Sequence, residues 1–583
     1  MAKRRKRSVA PTRPADPGSI ARSGRGTLRS YTIGALPILN RMIERLELEE
    51  FFQTYLPAPG RRGRLCAAKS LLVLLRNLLV SREPIYGVGE WAARHAPDLV
   101  GLAPEQIGLL NDDRVGRALD ALFLADTPSL VLAVVGHAVR EFGVTLEQLH
   151  NDSTTITFCG AYRTAAQEKR YLGRPTLAIT FGHNKDHRPD LKQLLYILTV
   201  SEDGGVPVHF RVESGNTTDD RTHCQTWELL CQISGRRDFL YVADSKLATT
   251  ENMAYLHQRG GRFLSVLPGT RHEEAAFRQR LREGKILWRP LWDKTDEQGD
   301  IVDRFSISDE PAVTAEGYRL VWYHSTRKAE VDAATRASQI DRALRRLGQL
   351  RLKLASPRTR YRHAEKVHQA VAEILQESGA AEWIRVQIVP EERESYRQAT
   401  PGRPGKDTSY KKTVTTRLTL SFEIDLIQVA AGGAADGVFP LVSNVAELSE
   451  LELLDAYKRQ PTIEKRFSQL KTDFEVAPVY LKQVRRIQAL LGIYFFALLV
   501  EALLERQLRQ AMQREGIESL PLYPEGRPCR WPTARRLIDL FENVQRHTLT
   551  HGKRPPTLMI TEPSRLQRKI LRLLNLSPET YGH

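Results

Sequence analysis

The chain is short of cysteine, of acidic residues and of long apolar runs, and each shortage removes a class of protein. Its 583 residues include five cysteines, Cys66, Cys159, Cys224, Cys231 and Cys529. None belongs to a Cys-x-x-Cys pair, and the closest two, Cys224 and Cys231, stand seven positions apart. That spacing excludes a structural zinc site and a disulfide framework, and the cytoplasm is the expected compartment. The N-terminus, MAKRRKRSVAPTRPADPG, has no apolar core, so no signal peptide is expected. The most apolar run, Ala489 to Leu504, spans 16 residues and contains Glu501. It is shorter than the roughly 20 residues of a membrane span, so a buried helix is expected, and no membrane partner. Acids are outnumbered, 69 Asp and Glu against 86 Lys and Arg, for a net charge of +17. Such an excess favours phosphate-rich partners, nucleic acid first and an anionic membrane surface second. The remaining composition, 41% hydrophobic and 27% charged, is that of a soluble globular chain.

Rhythm along the chain suggests six segments. Residues 1–29 are basic and rich in Pro, Gly and Ser, a predicted disordered tail in which Lys3, Arg4, Arg5, Lys6 and Arg7 can touch phosphates. In 30–145 the pattern is helical, as in Leu71, Leu74, Leu75 and Leu78, which predicts a helical DNA-binding domain. In 146–268 it turns to strands (Asp152 to Phe158, Leu191 to Val200, Val206 to Ser214), then alternates strand and helix, with FLYVADS ending on Asp244 and Ser245. Three antiparallel strands followed by βα units predict a mixed sheet bearing helices. Residues 269–435 break that rhythm and read as an inserted α+β domain. Its predicted strands include Ile384 to Val389 and Arg417 to Ile427, with a loop over Ala399 to Asp407. Residues 436–480 return to the core, and 481–583 read as a helical C-terminal region.

Three acids stand out. Asp152 sits beside the β-branched run Ser153 to Phe158, where Asp is disfavoured. Asp244 ends the fourth strand, a neighbour of the first in a sheet of this order. Adjacent carboxylates repel, so they need a cation or a shared proton, and magnesium prefers such oxygen ligands. In AYKRQPTIEKRFSQLKTDF, Ala456 to Phe474, the apolar positions Ile463, Phe467, Leu470 and Phe474 form one face, while Glu464, Ser468 and Lys471 form another. Pro461 predicts the first helical position, with Glu464 in the first turn and Tyr457 and Gln460 just before it. Each acid also has a plainer reading: Asp152 as a strand cap, Asp244 as a helix cap, Glu464 as a partner of the helix dipole. Asp436 is a rival third acid, in a Gly-rich turn. His183 and His187 flank a charged loop.

In order, NDST, VADS and Tyr-x-x-Gln-x-x-x-Glu-x-x-x-x-x-x-Lys resemble the DDE transposases of bacterial insertion sequences, in the group with a Tyr-Arg-Glu-Lys signature. GHNKDHRPDLKQLL (Gly182 to Leu195), DGVFPLVSN (Asp436 to Asn444) and YPEGRPCRWPTARRLIDLFE (Tyr523 to Glu542) resemble stretches of one branch of that group. The resemblance covers most of the chain from about Ala35. It implies an α/β fold, a ribonuclease-H-like mixed sheet core with helices, an inserted α+β domain before the last acid, and helical N- and C-terminal regions. It implies that Asp152, Asp244 and Glu464 are catalytic and bind two Mg2+ ions, with Mn2+ able to substitute. Tyr457 and Lys471 match the signature residues that position DNA. Gln460 stands where the group has Arg and lacks its charge-assisted bidentate bonding, for which Arg459 or Arg466 are candidate substitutes. The implied activity is cleavage and transfer of double-stranded DNA at terminal inverted repeats by a homodimer, through a hairpin intermediate and into target DNA, in a bacterial cytoplasm at the nucleoid. Trp288, Trp292, Trp322 and Trp383 are candidates to stack on a flipped base. Two other readings stay open: an inactive or domesticated DNA-binding relative, and a metal-dependent nuclease of the same fold without strand transfer.

Overall fold

Strand structure begins upstream of Asp152. The computed structural model describes residues 21–23, 26–57, 65–160, 162, 165, 167, 169–186, 188–296, 298–356, 359–361, 363–476, 481–523, 525–551 and 555–581. The first core strand, β1, is Gln148–Phe158, so Asp152 lies inside it and not at its start. The chain divides into two units, Met1–Ser265 with Leu454–His583, and Val266–Leu453.

In the first unit β1 is followed by β2 (Lys192–Ser201), β3 (Pro207–Ser214), α1 (His223–Ser234), β4 (Leu240–Ala243), α2 (Thr250–Gln258) and β5 (Arg262–Val266). The strands lie in the order β5-β4-β1-β2-β3. β1, β2 and β3 pair antiparallel, whereas β4 runs parallel to β1 and β5 parallel to β4. Three antiparallel strands followed by two parallel ones with crossover helices make the ribonuclease-H-like core. β2, KQLLYILTVS, is buried at every position after Lys192, as a central strand covered on both faces must be.

Three helices follow the insertion: α3 (Glu450–Lys458), α4 (Pro461–Ser468) and α5 (Val484–Arg514). Pro461 has no N–H to give back to the preceding turn, so α3 ends and α4 starts afresh with proline at its first position. Ile463, Phe467, Leu470 and Phe474 are all buried, and α4 packs on β1 and β2. The turn between β2 and β3 turns on Gly204 (φ +82°) and Gly205 (φ +63°). A side chain at Gly205 would lie 2.4 Å from Thr462 Cγ2, so the turn seats directly against α4. α5 is long and apolar enough to cross a membrane, yet 94% of its most apolar window is buried inside the protein. It packs against the N-terminal helices Leu36–Arg45, Ala67–Val80 and Asp112–Leu124, and Arg485 and Arg486 both bind Asp120, at 2.7 and 2.8 Å.

Two expectations change here. Gly26–Thr32 is a strand, paired with Ala21–Ser23 on one side and with Gln545–His551 on the other, and Thr557–Ile560 completes that sheet. The described part of 1–29 is therefore ordered, and 481–583 is not wholly helical. The partner strands lie far apart in the chain, beyond the reach of local pattern. Lys3, Arg4, Arg5, Lys6 and Arg7 lie outside the described residues.

The second unit, Val266–Leu453, holds an antiparallel sheet of Trp288–Thr295, Ile301–Ser308, Arg319–Ser325 and Val438–Ser443. Its second core joins helices Thr326–Ala355 and Ala364–Ser378 to a two-stranded ribbon, Ile384–Gln398 with Tyr410–Ile424. The ribbon strands are longer than the sequence predicts and run to residues 398 and 410, flanking the Ala399 to Asp407 loop.

Candidate active site

Sheet register brings the first two acids together. Asn151 on β1 pairs with Ala243 on β4, so Asp152 and Asp244 are the next residues on neighbouring parallel strands, which run ~4.8 Å apart. The Asp152 side chain is 20% exposed. Burial pushes its carboxyl up, Lys185 pulls it back and the charge of Asp244 pushes it up again. Asp244 also accepts from Lys246 N at 3.1 Å, which orders the turn leaving β4. The cap of α2 is Thr249, which accepts from Asn252 N, so the helix-cap reading of Asp244 does not hold.

The third acid arrives with α4. Glu464 is exposed in its first turn, and Tyr457 is the penultimate residue of α3. The Tyr457 hydroxyl reports where they meet. It is pushed up to about 12, first by burial and then by Asp244, Glu464 and Asp152 in that order. One phenol therefore feels all three carboxylates and stays a neutral hydrogen-bond donor at physiological pH.

The corner between α3 and α4 is tied to β1 by residues that the sequence reading missed. Gln148 Nε2 donates to Ala456 O at 2.9 Å and lies 2.8 Å from His150 Nε2. The other ring nitrogen, Nδ1, lies 2.9 Å from Gln460 Oε1. Burial pushes His150 down to about 4, so the ring is neutral and relays one hydrogen bond in each direction. Gln148, His150 and Asp152 alternate along β1 and share a face, a period-two signal present in the sequence. Gln460 is thus committed to β1 through its carbonyl oxygen.

A loop closes the other side. Lys185 Nζ lies 3.2 Å from Asp152 Oδ1 and donates to Ser153 O at 2.8 Å. The next residue, Asp186, accepts from Lys471 Nζ at 2.6 Å and from Thr155 Oγ1 at 3.4 Å. Adjacent residues of the GHNKDHRPDLKQLL stretch therefore reach both the first acid and the signature lysine. Lys471 itself sits in a π-helical turn, Gln469–Asp473, closed by Phe474 N donating to Gln469 O at 2.9 Å. It departs from the α-helical phase on which its alignment with Glu464 was predicted.

Among the described residues, no three of His, Cys, Asp and Glu are gathered tightly enough to enclose a metal ion. The donors that do approach one another are carboxylate and phenol oxygens. They suit a hard divalent cation, which takes one or two carboxylates and keeps several waters.

Several other candidates are placed elsewhere. Arg466 is 1% exposed and cannot replace a DNA-binding arginine. It donates to Gly204 O and Gly205 O, and with Lys465 and Arg509 surrounds Glu505 at 3.1 to 3.2 Å. Gln469 links Glu505 to Glu501, and both glutamates are fully buried on α5. Arg459 pairs with Glu202 and Asp455. Asp436, in the second unit, accepts from Nη1 and Nη2 of Arg336, each at 2.6 Å. Within the same unit Trp322 is buried face to face with Phe277, while Trp292 is 41% exposed and stacks on Phe305. Trp288 and Trp383 are partly buried. His183 lies in the loop before Lys185, and His187 is outside the described residues.

A family model described as a transposase DDE domain matches residues 147–500, and one described as a domain of unknown function (DUF4277) matches residues 28–135. No curated protein matches the chain. Among solved structures, the cryo-EM structure of a piggyBac transposase synaptic complex with hairpin DNA is similar at 8% identity and a TM-score of 0.33, over 93% of this chain and 81% of that one.

Proposed function

The chain belongs to the transposase DDE domain family, whose members cleave and transfer DNA strands with divalent metal ions, and we propose that it moves an insertion sequence by acting at its terminal inverted repeats. In this reading Asp152, Asp244 and Glu464 hold the metal, taken to be two Mg2+ ions with Mn2+ able to substitute. When bound, the metal supplies Lewis-acid polarisation at phosphorus and activation of water.

The protein's own residues do the rest. β1 and β4 hold two carboxylates on adjacent strands, so neither has to be ordered when DNA arrives. Tyr457, neutral and half-buried beside the acids, donates to a phosphate oxygen without adding charge. Lys471 exchanges Asp186 for a phosphate of the transposon end. Gln460 fixes the α3–α4 corner through His150, and its Nε2 is the group that would donate to DNA. Lys185 neutralises Asp152 in the metal-free protein. A homodimer would pair the two ends, and a hairpin intermediate would be steadied by a stacked aromatic. Trp292 is the most exposed of the four tryptophans and the first to test. The expected setting is the bacterial nucleoid.

The observation that supports this reading most is that one hydroxyl, on Tyr457, carries the field of three acids spread across the chain from residue 152 to residue 464. The experiment is strand cleavage and transfer on DNA bearing the element's ends, with Asp152→Ala, Asp244→Ala and Glu464→Ala beside wild type. All three are expected to bind DNA and cut nothing. Full activity in any one removes that residue from the site. Binding without cutting by wild type, with either magnesium or manganese, would mark an inactive relative. Cutting without joined product would mark a nuclease.

A further inference from the structure

The ribbon of the second unit has two ends of different character. Its fifteen rungs pair in one unbroken register, from Ile384 with Ile424 to Gln398 with Tyr410. At the inner end Ile384, Val386, Ile388, Leu418, Leu420 and Phe422 pack on helices Thr326–Ala355 and Ala364–Ser378. Beyond Pro390 that cover stops. Residues 391–397 and 409–416 are all exposed, on both faces. About seven rungs, roughly 20 Å of strand, thus stand without a packing partner. A bare two-stranded ribbon is marginal in water, so its retention points to a ligand.

Charge says which ligand. From Tyr396 to Lys412 there are five cations, Arg397, Arg403, Lys406, Lys411 and Lys412, against the single acid Asp407. Lys412 is paired with Glu394. Among the described residues Arg397, Arg403, Lys406 and Lys411 have no acidic partner. Arg397 and Lys411 stand directly opposite each other in register. Like charges across a rung destabilise a ribbon unless an anion lies between them. On the other face Tyr396, 61% exposed, and Tyr410, 51% exposed, stand diagonal to each other beside Lys412. Basic, phenolic and hydroxyl groups on a two-stranded ribbon match the backbone and width of a DNA groove.

We propose that the outer end of this ribbon, from Tyr396 to Lys412, is a duplex-DNA-binding arm that lies along a groove, with Arg397 and Lys411 sharing a backbone phosphate. The inference rests on the DNA-transposase reading but concerns a surface separate from the three acids. A second protein copy as occupant would need an apolar face, and Val414 is the only aliphatic side chain on the exposed rungs.

The test is duplex DNA binding by fluorescence anisotropy across a potassium chloride series. The full-length wild type is compared with Arg397→Ala/Arg403→Ala/Lys406→Ala/Lys411→Ala, and with a control lacking Arg342 and Lys366 on the neighbouring helices. The ribbon variant is expected to bind at least about tenfold more weakly at low salt, with a log–log salt slope shallower by about 3. Thermal unfolding should be unchanged or shifted upward, because the Arg397–Lys411 repulsion is gone. An unchanged slope, or an equal loss per cation in the control, would overturn the arm while leaving the transposase reading intact. Loss of self-association with DNA binding intact would overturn it in favour of a protein partner. Absence of salt-dependent DNA binding by wild type would overturn both.

Discussion

Two groups of carboxylates lie on either side of α4, and they are treated in opposite ways. Glu464 and Arg466 are two residues apart, so their side chains leave opposite sides of the helix. On the Glu464 side, Asp152 is answered by Lys185 at 3.2 Å, and the shared field of the acids falls on Tyr457. On the Arg466 side, Glu505 alone has three cations within 3.2 Å and accepts from Ala534 N at 3.0 Å. Those contacts hold Glu505 down to about 2 against the upward push of burial. The lesson is a division of labour. The saturated cluster fixes α4 against α5 and the Gly204–Gly205 turn, whereas on the other side the one acid–cation pair described for the three acids is Asp152 with Lys185.

Substitutions can break this contrast in order of effect. The largest belongs to the acids of the open cluster. Asp152→Asn or Glu464→Gln should lower strand cleavage by about 10^3-fold or more, the scale of losing transition-state charge stabilisation. The melting temperature should hold or rise, since repulsion is relieved. A matching loss of stability would make these acids structural. Next, Glu505→Ala should do the reverse. It leaves Arg466 buried, and Lys465 half-buried, without their counter-charge and should cost about 3–5 kcal/mol in denaturant unfolding. Intact stability would show that the cluster does not hold α4.

Lys185→Met should tighten manganese binding by the DNA-free protein, by about tenfold, because no ammonium has to leave Asp152. Calorimetry reads this without any cleavage, and unchanged or weaker binding would remove Lys185 from the site. The smallest effect is pH-dependent. Burial, with Glu505 and Asp473 nearby, pushes Glu501 up to about 8 against the pull of Arg466 and Arg535. Above the ordinary pKa of 4.5 the unfolded chain gives up this proton and the folded one keeps it. Glu501 therefore costs stability increasingly from pH 4.5 to about 8. Glu501→Gln should match wild type near pH 4.5 and melt a few degrees higher at pH 8. Equal melting points at both pH values would mean that Glu501 ionises normally.

What could be read in advance followed the reach of local rules. β-branched runs marked β1 to β3, the 3.6-residue period marked the buried face of α4, and Pro461 marked its first residue. The Gly26–Thr32 strand was unreadable because its partner is Gln545–His551. Arg466 looked like any charged helix residue, and only the arrival of Glu505 on α5 makes its burial tolerable. The ribbon strands were cut short at Val389 and Arg417 because alternation fades where both faces are polar. Lys185 was overlooked for a different reason. Its loop has no periodicity, and its importance appears only once β1 is beside it.

The π-helical turn after α4 has a consequence for sequence length. Such a turn is an α-helix carrying one additional residue, so every side chain past it is rotated by about 100° from where an unbroken helix would aim it. Asp186 meets Lys471 in that rotated frame. Deleting a single residue between Gln469 and Asp473 would re-phase the segment, swinging the lysine away from the loop while shifting Phe474 off Tyr494 of α5, whose ring lies 5.9 Å from its own. In this stretch the number of residues matters as much as their identity, and a one-codon deletion here should be less well tolerated than most point substitutions.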